Sequence, residues 1–284
     1  MDKIRNGNLS SSNIFNILGI AKRLMTENEL KDYKQKNPKS KATLIEDNTM
    51  LSQTAINYIF KKIKERKCLR CLDNEVFSKS INWGSFLEKF IKDKNVLFSD
   101  YFFSLDKTKE HNTIKGYVGT KDGNNIKTGA TVELKCPYTL DSFTDFAELY
   151  LIYCEKKISV KELFINGYTY NNGIEVSHTD GKKYYWQTVS NCLIENTNKG
   201  EIIIFMPNEK QLNEIVEYAS LIDEADVDRY YNIAFAKNNE LPYLPKASVY
   251  SNVLKFEFNI TKEDKIFLET KIKKALELIN NHTK

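Results

Sequence analysis

The clearest strand signal in the chain is the stretch Gly129-Ala-Thr-Val-Glu133-Leu-Lys135-Cys-Pro137. Apolar residues alternate with charged ones here and a proline ends the run, a pattern that favours a β-strand. Residues two apart on a strand share a face, so Glu133 and Lys135 are expected side by side while Leu134 points into the core. The stretch therefore predicts a carboxylate and an ammonium group together at one end of a sheet.

Asp122 lies in the turn-forming segment Thr120-Lys-Asp-Gly-Asn-Asn125, between strands predicted at 114–119 and 130–136. A hairpin-like return after this turn would bring Asp122 beside Glu133. Two carboxylates can hold a divalent metal that polarises a phosphodiester, and a lysine beside them can orient or deprotonate the attacking water. From this motif alone, a charged pair on the exposed face of an edge strand remains the alternative.

Helical periodicity and N-cap residues predict the elements around this strand. An apolar strand is expected from Ile202 to Phe205, and helices at about 10–20, 51–67, 82–93, 141–156, 183–195, 208–221 and 262–281. The polar residues 26–49 are expected to form a loop or arm, and residues 157–181 short β-like pieces. This mixture predicts an α/β or α+β fold, with a mixed sheet and surrounding helices in one domain over 1–284.

Composition places the chain among ordinary globular proteins. Its 284 residues are 41% hydrophobic and 12% aromatic, which supplies a real core and excludes disorder throughout. The net charge of +4, from 42 basic and 38 acidic residues, does not by itself indicate nucleic-acid binding. The five cysteines are odd in number and widely spaced, which disfavours a secreted disulfide framework. With no signal-peptide or membrane-spanning stretch, we expect a cytoplasmic protein without a membrane partner.

The densest basic run, KKIKERKCLR, closes the helix predicted at 51–67. Its cations are candidates for contacts with DNA phosphates: Lys61, Lys62, Lys64 and Arg66. The lysines between 31 and 41 are a second set that could line the path of a duplex. A solvated helix end is the alternative for the basic run, and the run taken alone favours that alternative.

Four segments follow one another in a characteristic order. They are Arg5-Asn-Gly-Asn-Leu-Ser10-Ser-Ser12, Asn82-Trp-Gly-Ser-Phe-Leu-Glu88, Lys121-Asp-Gly123 with Glu133-Leu-Lys-Cys-Pro137, and Tyr184-Tyr-Trp-Gln187. Together they resemble the lambda exonuclease and YqaJ-like viral recombinase family of the PD-(D/E)xK nuclease superfamily. The chain departs from that pattern at three places: Lys121 replaces a proline, Val189 stands where the family has a second glutamine, and 157–181 corresponds to an insertion.

The resemblance implies a PD-(D/E)xK restriction-endonuclease-like core, with a central mixed β-sheet flanked by helices. It also implies a Mg²⁺ or Mn²⁺ site formed by Asp122, Glu133, the Leu134 carbonyl and, as an additional ligand, Glu88. Lys135 would activate water, and Gln187 would lie near this lysine or the attacking water. Read without the family, Glu88 and Gln187 are compatible with ordinary polar residues on helix surfaces.

At the N-terminus, the resemblance implies that Arg5 and Ser12 bind a terminal 5′-phosphate, with Ser10 as a further candidate. Arginine forks onto phosphate oxygens, and serine hydroxyls at a helix start add donors where the helix dipole favours an anion. The alternative is a frayed N-terminal arginine and a plain N-cap serine.

The implied function is that of a phage recombination exonuclease. Such an enzyme resects linear double-stranded DNA from a 5′-phosphorylated end and leaves a 3′ single strand for an annealing protein. The resemblance also implies a homo-oligomer, a trimeric ring around the duplex. Two alternatives remain: an endonuclease of a restriction or repair system on the same core, and a non-catalytic DNA-binding module. The segment from Arg5 to Ser12 favours the exonuclease, and the complete set of Asp122, Glu133 and Lys135 disfavours the non-catalytic module.

Overall fold

A mixed β-sheet with helices on both faces organises the chain, in a computed structural model that describes residues 3–72, 78–94, 99–103, 108–221, 224–237 and 240–283. The α-helices of these ranges are α1 (Glu27–Lys36), α2 (Gln53–Cys68), α3 (Lys79–Lys94), α4 (Leu140–Lys156), α5 (Val160–Asn166), α6 (Gly181–Glu195), α7 (Glu209–Ser220), α8 (Glu224–Ala234) and α9 (Lys262–Asn281). None of the described helices has the length and apolar character needed to cross a membrane.

Within the described ranges, the strands form one five-stranded sheet and three smaller ones. They are β1 (Leu9–Ser10), β2 (Ile20–Leu24), β3 (Leu44–Leu51), β4 (Tyr101–Phe103), β5 (Lys109–Glu110), β6 (Tyr117–Gly119), β7 (Gly123–Asn125), β8 (Thr131–Lys135), β9 (Tyr168–Thr169), β10 (Glu175–Val176), β11 (Lys199–Phe205) and β12 (Val253–Asn259). The large sheet has the order β12-β11-β8-β7-β4. Its β8–β11 pair is parallel and its other pairs are antiparallel, which confirms the expected mixed sheet.

The central strands β8 and β11 bury both of their faces, so their apolar residues alternate between two cores. Ile202 and Ile204 face the first core, which α2, α4, α5, α6 and α9 complete. Leu134 and Ile203 face the second core, which α3, α7 and α8 complete. Glu133 pairs in register with Ile202, so its side chain lies on the face that α6 covers.

A small three-stranded sheet ties the N-terminal segment to the region of Asp122. β1 pairs in parallel with β6, with Leu9 opposite Tyr117. A 3₁₀ helix, Ser11–Ile17, follows directly and replaces the helix expected at 10–20. Residues 120–122 connect β6 to β7 and therefore join the small sheet to the large one.

Of the loop or arm expected at 26–49, the loop is wrong, because this region holds a helix and a strand. β2 and β3 pair antiparallel, and α1 lies between them in the chain. Arg23 bonds Glu29 at 2.7 Å and Asp47 at 3.0 Å, so one guanidinium links both strands to the helix. None of the described side chains from Lys22 to Met50 is buried. We call residues 20–51 the arm.

Residues 157–181 contain more regular structure than the short β-like pieces expected. β9 and β10 form a two-stranded sheet in which Thr169 pairs with Glu175. The preceding helix α5 buries Val160, Leu163 and Phe164 in the first core. This segment therefore contributes to the packing of the sheet.

Candidate active site

The backbone of β8 holds Asp122 in place. The Asp122 N–H donates to the Val132 carbonyl at 3.1 Å, and the Leu134 N–H donates to Asp122 Oδ2 at 2.9 Å. In an extended strand the N–H and C=O of one residue point to the same edge. The Leu134 carbonyl, predicted as a metal ligand, therefore faces the edge of β8 on which Asp122 lies.

Glu133 is enclosed by three donors and exposes 1% of its surface. Its Oε1 accepts from Lys135 Nζ and from Gln187 Nε2, and its Oε2 accepts from Asn191 Nδ2 at 2.9 Å. Gln187 and Asn191 lie one turn apart on α6, on the face that covers the sheet. Burial, opposed by Lys135 and reinforced by Asp122, raises the pKa of Glu133 to about 7.

Lys135 carries its charge in this arrangement. Burial lowers the pKa of Lys135 and the carboxylates of Glu133, Asp122 and Glu88 raise it, with an upward net shift. The ammonium also lies 5.3 Å from the ring centroid of Tyr184, a distance at which a cation is attracted to an aromatic face. As an ammonium, Lys135 can donate to a phosphate or water oxygen and orient it.

Helix α3 brings two further charges to the site. Trp83 Nε1 donates to the Pro137 carbonyl at 3.1 Å and fixes α3 against the end of β8. Burial, followed by repulsion from Asp122, raises the pKa of Glu88 to about 8. Lys92, one turn after Glu88, lies 3.5 Å from Asp122 Oδ1. The sequence did not single out Lys92, since a lysine on a charged helix has no local signature of such a contact.

The oxygen donors of this cluster are of the type that Mg²⁺ and Mn²⁺ prefer. In the arrangement described, however, N–H groups of the protein contact the carboxylate oxygens of Asp122 and Glu133. Among the described residues, no three His, Cys, Asp or Glu side chains are grouped closely enough to hold a metal ion. A divalent cation bound here would therefore compete with the ammonium groups of Lys92 and Lys135.

Cys136 ends this strand segment beside Lys135. The thiol is buried, and burial, followed by the nearby Glu88 carboxylate, raises the pKa of Cys136 well above that of a free cysteine. The remaining cysteines divide by exposure: Cys68 and Cys154 are exposed, Cys71 is half-buried and Cys192 is buried. All five are free thiols.

Arg5 lies at the segment that carries Asp122. Its Nη2 donates to Thr120 Oγ1 at 2.7 Å and its Nε donates to Thr108 Oγ1 at 3.2 Å. Thr120 precedes Asp122 by two positions, so Arg5 and the candidate metal ligand share one short segment. The sequence did not reveal either threonine, because each lies more than a hundred positions from Arg5 in the chain.

The N-terminal segment is anchored at Gly7, so the frayed alternative is wrong for residues 4–12. The Gly7 N–H donates to Glu65 Oε2 at 3.0 Å, and Arg66 Nε donates to the Gly7 carbonyl at 2.8 Å. Gly7 has a φ of +63°, and a Cβ there would lie 2.2 Å from the Arg66 side chain. Only glycine fits this contact without displacement, and Leu9 behind it is fully buried.

The three serines that follow Arg5 in the chain lie in different surroundings. Ser10 does not cap the 3₁₀ helix with its side chain, so the predicted N-cap bond is absent for this residue. Its hydroxyl lies 3.3 Å from that of Ser12 and accepts from Asn13 Nδ2 at 3.3 Å. Ser11, the serine between them, points inward and accepts from Ser190 Oγ at 2.9 Å. Ser12 is half-buried.

Of the four basic residues on α2 that were candidates for contact with DNA, two are engaged by other residues of the protein. Lys62 is 5% exposed and pairs with Glu65 at 2.8 Å, so the proposed DNA contact is wrong for this buried residue. Arg66 is occupied by Gly7 and by Asn280 Oδ1 at 2.6 Å. Lys61 is half-buried and Lys64 is exposed, so these two remain candidates for contact with a ligand.

Three solved structures share the fold of this chain, although no protein-family model and no curated protein matches it. An alkaline exonuclease (LHK-Exo) from Laribacter hongkongensis aligns with a TM-score of 0.50 at 12% identity, over 98% of this chain and 91% of that chain. LHK-Exo in complex with dAMP aligns equally well, with a TM-score of 0.50 at 12% identity over 99% of this chain and 92% of that chain. A phage-related exonuclease from Haemophilus somnus 129PT gives a TM-score of 0.51 at 11% identity, over 96% of this chain and 94% of that chain. At such identities the likeness establishes a shared mixed α/β fold along nearly the whole chain.

Proposed function

We propose that this chain is a metal-dependent deoxyribonuclease that resects linear double-stranded DNA from a 5′-phosphorylated end. The observation that carries the proposal is the contact of Lys135 with Glu133 and of Asp122 with the backbone of β8, with the Glu88 carboxyl near enough to be repelled by Asp122. The fold shared with solved exonucleases supports it. We extend to this chain the phage-type role, in which the 3′ single strand passes to an annealing protein in the host cytoplasm.

The residues divide the chemistry between them. Mg²⁺ or Mn²⁺ held by Asp122, Glu133 and the Leu134 carbonyl, with Glu88 in support, would polarise the scissile phosphate and lower the pKa of a bound water. Lys135 would donate to a phosphate or water oxygen and orient the attack. Gln187 and Asn191 hold the Glu133 carboxylate by their N–H groups, so they keep it aimed at the site.

Arg5 supports action at a DNA end. Its guanidinium lies beside the Thr120 hydroxyl, in the segment that carries Asp122. An arginine with neighbouring hydroxyl donors is suited to a terminal phosphate, because charge-assisted bonds to phosphate are strong and directional. Resection along a duplex also fits the ring-shaped homo-oligomer that the family resemblance implies, and we include that ring in the proposal.

A comparison of DNA forms tests the proposal directly. Linear duplex with a 5′-phosphate, the same duplex with a 5′-hydroxyl, and a closed circular duplex are each incubated with Mg²⁺, Mn²⁺, Ca²⁺ or excess chelator. We expect the phosphorylated linear duplex to be degraded fastest, the circle to stay intact, and chelator or Ca²⁺ to stop the reaction. Cutting of the circle would favour the endonuclease, and full activity in chelator would refute the metal mechanism.

Arg5→Ala isolates the contribution of the 5′ end. We expect it to reduce the preference for the 5′-phosphate by roughly tenfold to hundredfold while the 5′-hydroxyl duplex is still degraded. Arg70→Ala, which removes an exposed arginine near the end of α2, is the matched control and should keep the preference. An Arg5→Ala variant with the wild-type preference contradicts the phosphate role.

A further inference from the structure

One buried amide links the two halves of the candidate site. Asn191, on α6, exposes 2% of its surface. Its Nδ2 donates to Glu133 Oε2 at 2.9 Å and to the Thr120 carbonyl at 3.2 Å. The first acceptor belongs to the hydrolytic centre, and the second belongs to the residue whose hydroxyl accepts from Arg5 at 2.7 Å. A continuous path of hydrogen bonds thus runs from Arg5 through Thr120 and Asn191 to Glu133.

The segment that Asn191 holds joins two separate sheets. β6, before it, belongs to the small sheet, and β7, after it, belongs to the large one. Asp122 is fastened to β8 by its own backbone and side-chain bonds, whereas the Thr120 carbonyl is held by the side chain of Asn191. Thr120 also contacts Thr108 at 3.0 Å, and the bond from Asn191 is the one that ties Thr120, and with it Arg5, to Glu133.

The orientation of the Asn191 amide leaves its own oxygen without a hydrogen bond from the described residues. Asn191 Oδ1 is buried without a hydrogen-bond partner among the described residues. A flipped amide would turn that oxygen toward the Glu133 carboxylate and the Thr120 carbonyl, which are both acceptors. Gly119 leaves room for the observed orientation, since a Cβ there would lie 2.6 Å from Asn191 Oδ1. An unsatisfied buried acceptor is unfavourable for stability, so the two bonds donated by Nδ2 are what hold the amide in this orientation.

We propose that Asn191 is a positioning residue that fixes the distance between the 5′-phosphate grip and the hydrolytic centre, and thereby sets the length of the product. The inference rests on the proposed function. An enzyme that holds a terminal phosphate at one point and cuts at another releases a fragment whose length equals the spacing of the two points. A rigid spacing gives one product length, and a loosened spacing gives several.

Product length is the quantity that tests this role. A 5′-phosphorylated duplex is degraded by the wild type, Asn191→Ala and Asn191→Asp, and the released fragments are sized by mass spectrometry. Asn191→Asp keeps the shape and removes the two N–H donors, so it covers the case in which the alanine variant folds poorly. We expect one product length from the wild type and an increase of about tenfold in fragments of other lengths from both variants.

Asn125 offers a matched control in the same sheet. It is also buried, and its Nδ2 donates to Glu201 Oε2 at 3.0 Å, away from the hydrolytic centre. Asn125→Ala breaks an equivalent asparagine–glutamate bond, so we expect a lower thermal midpoint with an unchanged product length. A change of product length in Asn125→Ala would mean that the overall rigidity of the sheet, and not Asn191, sets the product length.

The outcomes separate this inference from the proposed function. Absence of cleavage by the wild type, or equal rates on both linear duplexes, refutes the proposed function itself. Cleavage that prefers the 5′-phosphate, with one unchanged product length in both Asn191 variants, overturns only the inference. Mixed lengths from the wild type also overturn it. Complete loss of cleavage in both folded variants would assign Asn191 to the chemical step and would overturn the positioning role.

Discussion

Glu133 accepts hydrogen bonds from three side chains of the protein, which fix the position of its carboxylate. Such preorganisation means that the charge of this group, and not only its shape, matters for the site. We expect Glu133→Gln, and likewise Asp122→Asn, to reduce cleavage by at least about a hundredfold while DNA binding is retained. Rates are measured with Mg²⁺ on linear duplex, and binding is measured separately in chelator.

Glu201 supplies the control for this prediction. It is a buried glutamate on β11, where its carboxylate accepts from Tyr101 and Asn125. Glu201→Gln should therefore affect stability and leave the cleavage rate within a few-fold of the wild type. Wild-type rates in Glu133→Gln would remove Glu133 from the metal site.

Residues of the site divide into those with a local sequence signature and those without one. Glu133 and Lys135 were predictable because two positions on one strand share a face, and the structure brings them together. Lys92 and Thr120 were not, because their contacts join distant parts of the chain. Asn191 could have been found in part. It follows Gln187 by four positions on a predicted helix, and residues at that spacing share a face.

At the scale of elements, the arm carries a group of exposed lysines in and just after its helix. No acidic side chain of the described residues pairs with its distal lysines, which are exposed: Lys31, Lys34, Lys36, Lys39 and Lys41. The arm leaves the fold directly after the 3₁₀ helix that contains Ser12. We therefore predict that these lysines contact the phosphates of a duplex bound at the site.

Salt dependence of binding tests this prediction for the arm. Replacing Lys34, Lys36, Lys39 and Lys41 by serine should make the logarithm of duplex affinity less steeply dependent on salt, by about 0.9 for each DNA phosphate that a lysine no longer neutralises. Binding is measured in chelator over a range of salt concentrations. The control replaces four exposed lysines elsewhere, Lys127, Lys156, Lys199 and Lys262. If both variants change the slope equally, only net charge matters and the arm has no special role.

The structure of the arm was missed from the sequence because its helix lacks the usual pattern. Its helix buries no residue, so the apolar stripe that identifies an amphipathic helix is absent. One local signal was present, since Thr26 and Glu29 form a capping box. The pairing of β2 with β3 depends on strands separated by that helix, and alternation within each strand is too weak to reveal it.

At the scale of the whole molecule, two cores share one sheet, and each contains one of the two tryptophans. Trp186 lies in the first core and Trp83 in the second. If the chain is a single domain, both cores should unfold together. We expect Trp83→Phe and Trp186→Phe, each with one remaining fluorophore, to report denaturation curves that coincide with each other and with circular dichroism.

Core substitutions extend this test. Phe256→Ala in the first core and Phe86→Ala in the second remove fully buried rings, and each should lower the free energy of unfolding by about 3–5 kcal/mol. Each substitution should lower the free energy of unfolding by the same amount whether unfolding is followed by the tryptophan of the first core or by that of the second. Two separated transitions, each sensitive to only one substitution, would contradict the single domain.

The large sheet and the small three-stranded sheet were only partly predictable. β8 and β11 are apolar and central, so their pattern was clear, whereas β4 and β5 have three and two residues and lack any periodicity to detect. β12 was missed although Leu254 and Phe256 alternate along it with polar neighbours. Short edge strands form through pairing with neighbouring strands and carry little pattern of their own. The central strands of a sheet are therefore more predictable from sequence than its edge strands.

The cysteine beside Lys135 has a practical consequence for spectroscopy. A thiol reacts with maleimide dyes as the thiolate, and burial raises the pKa of both Cys136 and Cys192, which keeps them protonated at neutral pH. Cys68 and Cys154 are exposed, on α2 and α4 respectively. Once the half-buried Cys71 is replaced by serine, fluorophores can therefore be attached at these two positions while the strand end with its lysine stays chemically untouched. Energy transfer between such a dye and a second dye on the DNA would follow the duplex as it is processed.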